Sequence, residues 1–96
     1  MAEDEELLEQ LETEFKNLKV SDLLVQTVIG LSSLGYRSLG EETRDLEQAQ
    51  LAIEALRALV PVLEGSVPEQ ATRDFQQLVS NMQLAYATAV GRDATA

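Results

Sequence analysis

Residues 46–63 read LEQAQLAIEALRALVPVL, and the spacing of their apolar side chains decides the fold. Six apolar residues recur at steps of three and four: Leu46, Ala49, Ile53, Leu56, Val60 and Leu63. This is the pattern of a helix that packs lengthwise against another helix. Asp45, three residues before Gln48, predicts a capped start. Pro61 leaves two outcomes open, because the helix either stops just before it or kinks and continues to Glu64.

The same apolar spacing returns after a short connection that contains Gly65. The second seam consists of Ala71, Phe75, Leu78, Met82, Ala85 and Ala89. Ser66 and Glu69 match a capping box and predict the start of this helix. Two matching seams joined by a few residues predict an antiparallel helical hairpin, over about 46–64 and 67–90.

Residues 21–35, which precede the hairpin, are apolar on most helical faces. Ser21 is a candidate N-cap, and either Gly35 or Gly40 is expected to end the helix. A helix without a continuous polar face is expected to be buried. No stretch of the chain alternates as a half-buried strand would. The fold class is therefore predicted as all-α, with this segment as a buried central helix against the hairpin.

The N-terminal segment, about residues 3–18, is an acidic amphipathic helix by its pattern. Its apolar stripe consists of Leu7, Leu8, Leu11, Phe15 and Leu18. The first fourteen residues carry seven carboxylates and no basic residue. We expect residues 1–20 to pack outside the core or to swing free of it. The core domain is predicted over 21–90, followed by a disordered tail over 91–96.

The net charge of −10 limits the classes of partner that this chain can bind. Affinity for nucleic acid comes from Lys and Arg that neutralise phosphates, and the seven basic residues here are scattered, so no nucleic-acid partner is expected. Acidic residues on the polar face of the first helix oppose a membrane-surface role. Interrupting polar residues argue against a membrane span. A basic protein partner fits the charge better.

The composition offers little for catalysis. The sequence has no His and no Cys, so the residues that most often titrate near neutral pH are absent. Ser32 and Ser33 lie in an apolar helix, where packing is the expected role. No catalytic, cofactor-binding or metal-binding residue is predicted, and no cofactor. An enzyme with a carboxylate-only site stays as an alternative. Without a basic segment before an apolar run, no secretory signal is expected, and the predicted location is cytoplasmic.

Apolar residues off the main seams predict a contact surface. Leu51, Leu59, Val62 and Leu84 extend the apolar surface beyond a single stripe. One extra helix cannot cover both faces of such a hairpin well, so a homodimer is predicted. The alternative is a compact monomer in which the first helix covers the second face. Tyr36 and Arg37 are residue types enriched at interfaces. The predicted interaction residues are Leu7, Leu11, Phe15, Tyr36 and Arg37.

Several runs of residues together resemble a bacterial family known as domain of unknown function 1844. They are Leu31-Ser32-Ser33-Leu34-Gly35-Tyr36, Asp45-Leu46-Glu47-Gln48-Ala49, Ile53-Glu54-Ala55-Leu56, Glu64-Gly65 and Met82-Gln83-Leu84-Ala85-Tyr86. The resemblance covers about residues 21–90, and Pro61 departs from the family's pattern. It implies a small helical bacterial cytosolic protein, and it implies no reaction and no site residues.

These observations favour a non-enzymatic helical protein–protein interaction module that self-associates. The alternative is a regulatory protein that binds a basic partner through its acidic N-terminal helix. In that case, deletion of residues 1–18 should abolish capture of the partner.

Overall fold

A computed structural model describes residues 2–95, apart from the side chains of Ala2, Phe15 and Thr95. Within that part of the chain, the secondary structure consists of four α-helices and no strand, which confirms the all-α class. The helices are α1 (Ala2–Asn17), α2 (Val20–Leu39), α3 (Leu46–Val62) and α4 (Glu69–Thr95). Helices α2, α3 and α4 pack on one another and form a three-helix bundle.

Helices α3 and α4 form the antiparallel hairpin that their seams predict. Near one end, Tyr86 Oη of α4 donates a hydrogen bond to Gln50 Oε1 of α3 over 3.4 Å. At the other end, Gln76 Nε2 of α4 donates to Glu64 Oε1, just after α3, also over 3.4 Å. The start of α3 therefore lies beside the end of α4.

The core lies between the three bundle helices, and α3 contributes most to it. The buried apolar residues are Val28, Ala49, Ala52, Ile53, Leu56, Val60, Leu63, Val79, Met82 and Ala89. Half of the ten belong to α3, and they include four of the six residues of its predicted seam. The predicted seam on α3 therefore identified most of the buried residues of this helix correctly.

Helix α2 is not the buried central helix that its composition predicts. Only Val28, Ser32 and Gly35 of α2 are buried. Leu23 is 46% exposed and Leu34 is 62% exposed. The bundle supplies neighbours for one face of α2, so its remaining apolar residues stay in solvent. The excess of apolar residues in this helix indicates a surface that the bundle itself does not cover.

Gly35 lies inside α2, where the three helices meet, and does not end the helix. A methyl group placed on Gly35 would lie 2.5 Å from Met82 Cε and 3.0 Å from Ala52 Cβ. Such distances are too short for atoms in contact, so the absence of a side chain is what lets the helices approach here. The helix ends at Gly40, the other predicted position, whose backbone N–H donates to the Arg37 carbonyl.

The predicted helix starts are confirmed in one case and displaced in two. At α3, the Gln48 N–H donates to Asp45 Oδ1 over 3.2 Å, as the spacing predicts. Helix α2 begins after Lys19, not Ser21, because the Asp22 carboxylate accepts the Lys19 N–H over 3.2 Å. Helix α4 begins at Glu69, not near Ser66, because the Pro68 carbonyl accepts its first backbone hydrogen bonds.

The end of α3 lies between the two outcomes that Pro61 left open. Helix α3 passes through Pro61 but ends at Val62, short of Glu64. Its last turn tightens, with the Leu63 N–H donating to the Val60 carbonyl and the Glu64 N–H to the Pro61 carbonyl. Such bonds between residues three apart are common in a final helical turn. Gly65, at a φ of 82°, then reverses the chain.

The tail predicted as disordered over 91–96 is helical as far as Thr95, and Ala96 lies outside the described residues. A single exposed Gly91 weakens a helix by only about 1 kcal/mol relative to Ala, which is too little to end it. Two ion pairs also connect this turn to the loop between α2 and α3. Arg44 lies 3.7 Å from Asp93, and Arg92 lies 3.7 Å from Glu41.

Helix α1 stands apart from the bundle. In the part of the chain that the structure describes, α1 makes no packing contact with the other helices. The radius of gyration is 17.4 Å, against about 12.5 Å expected for a compact chain of this length. The accessible surface is 7116 Å², against about 5,400 Å² expected for a compact monomer of this mass.

Candidate interaction surface

A second apolar stripe runs along α3 beside the buried seam. It consists of Leu51, Ala55, Leu59 and Val62, spaced so that all four lie on one side of the helix. Leu51 is 57% exposed and Val62 is 60% exposed, whereas Ala55 and Leu59 are half-buried. This stripe therefore has a floor that touches the core and two large side chains that stand in solvent.

A matching stripe lies on one flank of α2. Val20, Leu23 and Leu34 are exposed and lie within one side of the helix, together with Gly30. Leu31, beside them, is half-buried against the core. The flank therefore resembles that of α3, with large apolar side chains along its edge.

The two stripes border one groove between α2 and α3. At one end, Leu34 of α2 and Leu51 of α3 line a concavity of about 190 Å³ together with Leu31 and Ala55. Ser38 and Gln48 are also in its lining. We call the surface formed by Val20, Leu23, Leu31, Leu34, Leu51, Ala55, Leu59 and Val62 the α2–α3 groove. Such a long apolar surface is a mark of a contact site.

Helix α1 presents the second apolar surface, which we call the α1 stripe. Leu7, Leu8 and Leu11 are 55%, 59% and 53% exposed. The structure thus places the predicted interaction residues Leu7 and Leu11 on one exposed face. The side chain of Phe15, the third predicted residue in this helix, lies outside the described residues. The stripe begins near a strongly acidic first turn.

Tyr36 and Arg37, the other two predicted interaction residues, do not form one patch. Both are exposed near the end of α2. Successive helical residues point about 100° apart, so Tyr36 lies on the side of Ile29, away from the groove. Arg37 lies towards Gly30, on the flank of the groove. The Arg37 carbonyl also accepts the Gly40 N–H and the Thr43 hydroxyl, so its backbone ends the helix.

Two of the carboxylates that lie just before α3 have structural partners. Asp45 caps α3, and Glu41 pairs with Arg92. Among the described residues, no three acidic side chains are arranged so that they could hold a metal ion. A concavity of about 410 Å³ at the hairpin tip holds Glu64, Glu69 and Arg73. The Arg73 guanidinium contacts the Glu69 carboxylate at 2.8 Å, so the local charges are paired.

Ser32 and Ser33 differ in environment. Ser32 is buried, and its hydroxyl donates to the Val28 carbonyl over 2.7 Å. Ser33 is exposed on the other side of α2. A serine hydroxyl that is occupied by its own helix backbone is not poised as a nucleophile.

Sequence reasoning found part of the groove. Leu51, Leu59 and Val62 stood out because they lie off the main seam of α3. The α2 side of the groove was missed, because a helix that is apolar on most faces was assigned to the core. Leu84, the fourth residue off the seams, is 69% exposed but lies alone on the outer face of α4, between polar residues such as Asn81 and Thr88.

No family model, curated protein or solved structure matches the chain. None of the helices formed by the described residues has the length and apolar character needed to cross a lipid bilayer.

Proposed function

We propose that this protein is a non-enzymatic helical interaction module that self-associates as a homodimer. The observation that carries the proposal is the exposed α2–α3 groove, which continues the apolar core to the surface along two helices. Apolar area removed from water stabilises association by about 25 cal/mol per Å² before the costs of association. A second copy of the chain is always available as a partner, because it is present wherever the protein itself is present.

The surface area supports the same proposal. The accessible surface exceeds that of a compact monomer by about 1,700 Å². A stable protein–protein interface removes about 800 Å² from each partner. The excess is therefore large enough for one full interface on each copy, with area remaining.

The groove is tested by a matched pair of substitutions. Leu51→Asp places a charge in the groove, and Leu84→Asp makes the same chemical change on the outer face of α4. We expect the first to weaken dimerisation at least tenfold and the second to leave it unchanged, both followed by light scattering during size exclusion. Equal behaviour of the two variants would show that the groove is not the interface.

Helix α1 favours a second candidate function, the binding of a basic protein partner. The helix is exposed and carries three acidic residues in its first turn. Deletion of residues 1–18 is expected to abolish capture of such a partner, and raised salt to weaken it. Capture that persists after the deletion would exclude this candidate.

We propose a cytoplasmic, bacterial protein, which the family resemblance and a sequence without Cys support. The lack of His and Cys supports a role without catalysis, and a carboxylate-only active site is the weaker alternative. An enzymatic activity that is lost when Glu41 or Glu42 is replaced, in a chain that stays folded, would favour the carboxylate-only active site.

A further inference from the structure

We infer that α1 of one copy lies in the α2–α3 groove of a second copy, and that the second copy returns the same contact. The inference rests on the proposed self-association and specifies which surfaces meet. It gives a partner to both the α1 stripe and the α2–α3 groove, and the reciprocal exchange closes a symmetric dimer.

Helix α1 is long enough to cover the groove. It has 16 residues and is therefore about 24 Å long. The groove extends from Val20 to Leu34 along α2, about 21 Å, and from Leu51 to Val62 along α3, about 17 Å. One copy of α1 can therefore reach from one end of the groove to the other.

The side chains of the two surfaces are also suited to each other. The stripe presents leucines that are half exposed, and the groove has leucine and valine walls above a floor of half-buried residues such as Ala55 and Leu59. An amphipathic helix that places apolar residues three and four apart into a groove is a common mode of protein recognition. The carboxylates of α1 would then remain in solvent.

A second copy fits this arrangement better than the chain's own α1. Only Leu18 and Lys19 separate α1 from α2. The Lys19 backbone is extended, with φ −87° and ψ 152°, and its N–H donates to the Asp22 carboxylate, which fixes the direction in which α1 leaves the start of α2. In the structure α1 instead points away from the bundle, in a molecule 59 Å long. A helix that projects in this way can reach another bundle.

The test joins two different chains, because the protein has no Cys and single cysteines give a clean background. Glu12→Cys labels α1 beside Leu11, and Gln48→Cys labels the rim of the groove in a chain carrying a mass tag. After mixing, a short bis-maleimide should join the two kinds of chain. The control pairs Glu12→Cys with Asn81→Cys, on the exposed outer face of α4, and should give at least tenfold less product.

The outcomes separate this inference from the proposed function. A double variant carries Glu12→Cys and Gln48→Cys in one chain. If this variant forms an internal cross-link while the mixed single variants form none, α1 occupies the groove of its own chain and the inference is wrong. Light scattering could also show a dimer that persists in a double variant with Leu7→Asp and Leu11→Asp. In that case self-association holds and the exchange of α1 is wrong. A chain that is a monomer at high micromolar concentration overturns both the proposed self-association and the exchange of α1. The two leucines are exposed outside the bundle, so their replacement leaves the core folded.

Discussion

Gly35 is the residue on which the packing of the bundle depends most directly. Replacement by Ala brings a methyl group against Ala52 and Met82, at distances that the neighbours must relieve by moving. Overpacking of this kind costs about 1–3 kcal/mol, and the better helix propensity of Ala returns about 1 kcal/mol. We expect Gly35→Ala to lower the free energy of unfolding by up to about 2 kcal/mol in urea denaturation.

The same helix contains its own control. Gly30 is exposed, and no atom lies within 4 Å of the position of an added methyl group. Gly30→Ala should therefore raise the free energy of unfolding by up to about 1 kcal/mol. If both variants change stability in the same direction, the close approach at Gly35 is not the cause.

Arg44 anchors the end of α4 to the loop before α3. Its side chain is only 17% exposed, lies 3.7 Å from Asp93 and donates from Nε to the Gly40 carbonyl over 3.3 Å. We expect Arg44→Met, which keeps most of the apolar stem, to destabilise the protein by about 1 kcal/mol. Amide hydrogen exchange should accelerate at residues 91–95.

Arg73→Met is the matched comparison for that substitution. Arg73 is 67% exposed and pairs with Glu69 within one turn of α4. Exposed pairs of this kind contribute about 0.3–0.5 kcal/mol. Equal effects of the two Arg substitutions, with unchanged exchange at the end of α4, would argue against an anchoring role for Arg44.

For individual residues, the sequence predicted local roles such as helix capping better than contacts with residues distant in the chain. Asp45 was expected to cap α3 and does so. The role of Gly35 could not be foreseen, because it depends on Ala52 and Met82, which are distant in sequence. Arg44 was counted among scattered charges for the same reason, since its partner Asp93 comes from the far end of the chain.

Among the elements, the hairpin connection between α3 and α4 depends on one backbone conformation. Gly65 has a φ of 82°, a region that residues with a side chain rarely adopt, and no atom would obstruct an added methyl group. Gly65→Ala is therefore expected to destabilise the fold by about 1 kcal/mol through backbone strain alone.

Gly91→Ala makes the same change inside α4. That position has no neighbour within 4 Å of an added methyl group. We expect stabilisation of about 0.5–1 kcal/mol, measured by thermal denaturation. A stabilising Gly65→Ala would show that the connection tolerates another conformation.

The helices themselves were largely predictable, and their ends were not. The seam on α3 marked the core because a spacing of three and four residues is a direct consequence of helical geometry. The end of α4 was predicted at about residue 90, several residues early, because the ion pairs of Arg44 and Arg92 with distant residues do not appear in a local pattern. The burial of α2 was overestimated, because apolar composition does not tell a core from an interface.

At the scale of the whole molecule, each copy carries a net charge of −10. Two such copies repel each other at long range, whereas the surfaces that we propose to meet are apolar. Salt screens the repulsion over about 10 Å at 0.1 M and less at higher concentration. We expect dimerisation to strengthen severalfold between about 0.05 and about 0.5 M NaCl, because added salt shortens the range of the repulsion between the two copies. Sedimentation velocity measures this change. Dimerisation that weakens over this range would indicate an interface held by ion pairs.

Sedimentation equilibrium of the unmodified chain over a range of loading concentrations tests self-association most directly. The mass of one chain is 10.5 kDa. The proposal predicts that the weight-average mass rises with concentration towards twice that value and then stays there. A single species of 10.5 kDa up to high micromolar concentration would contradict it.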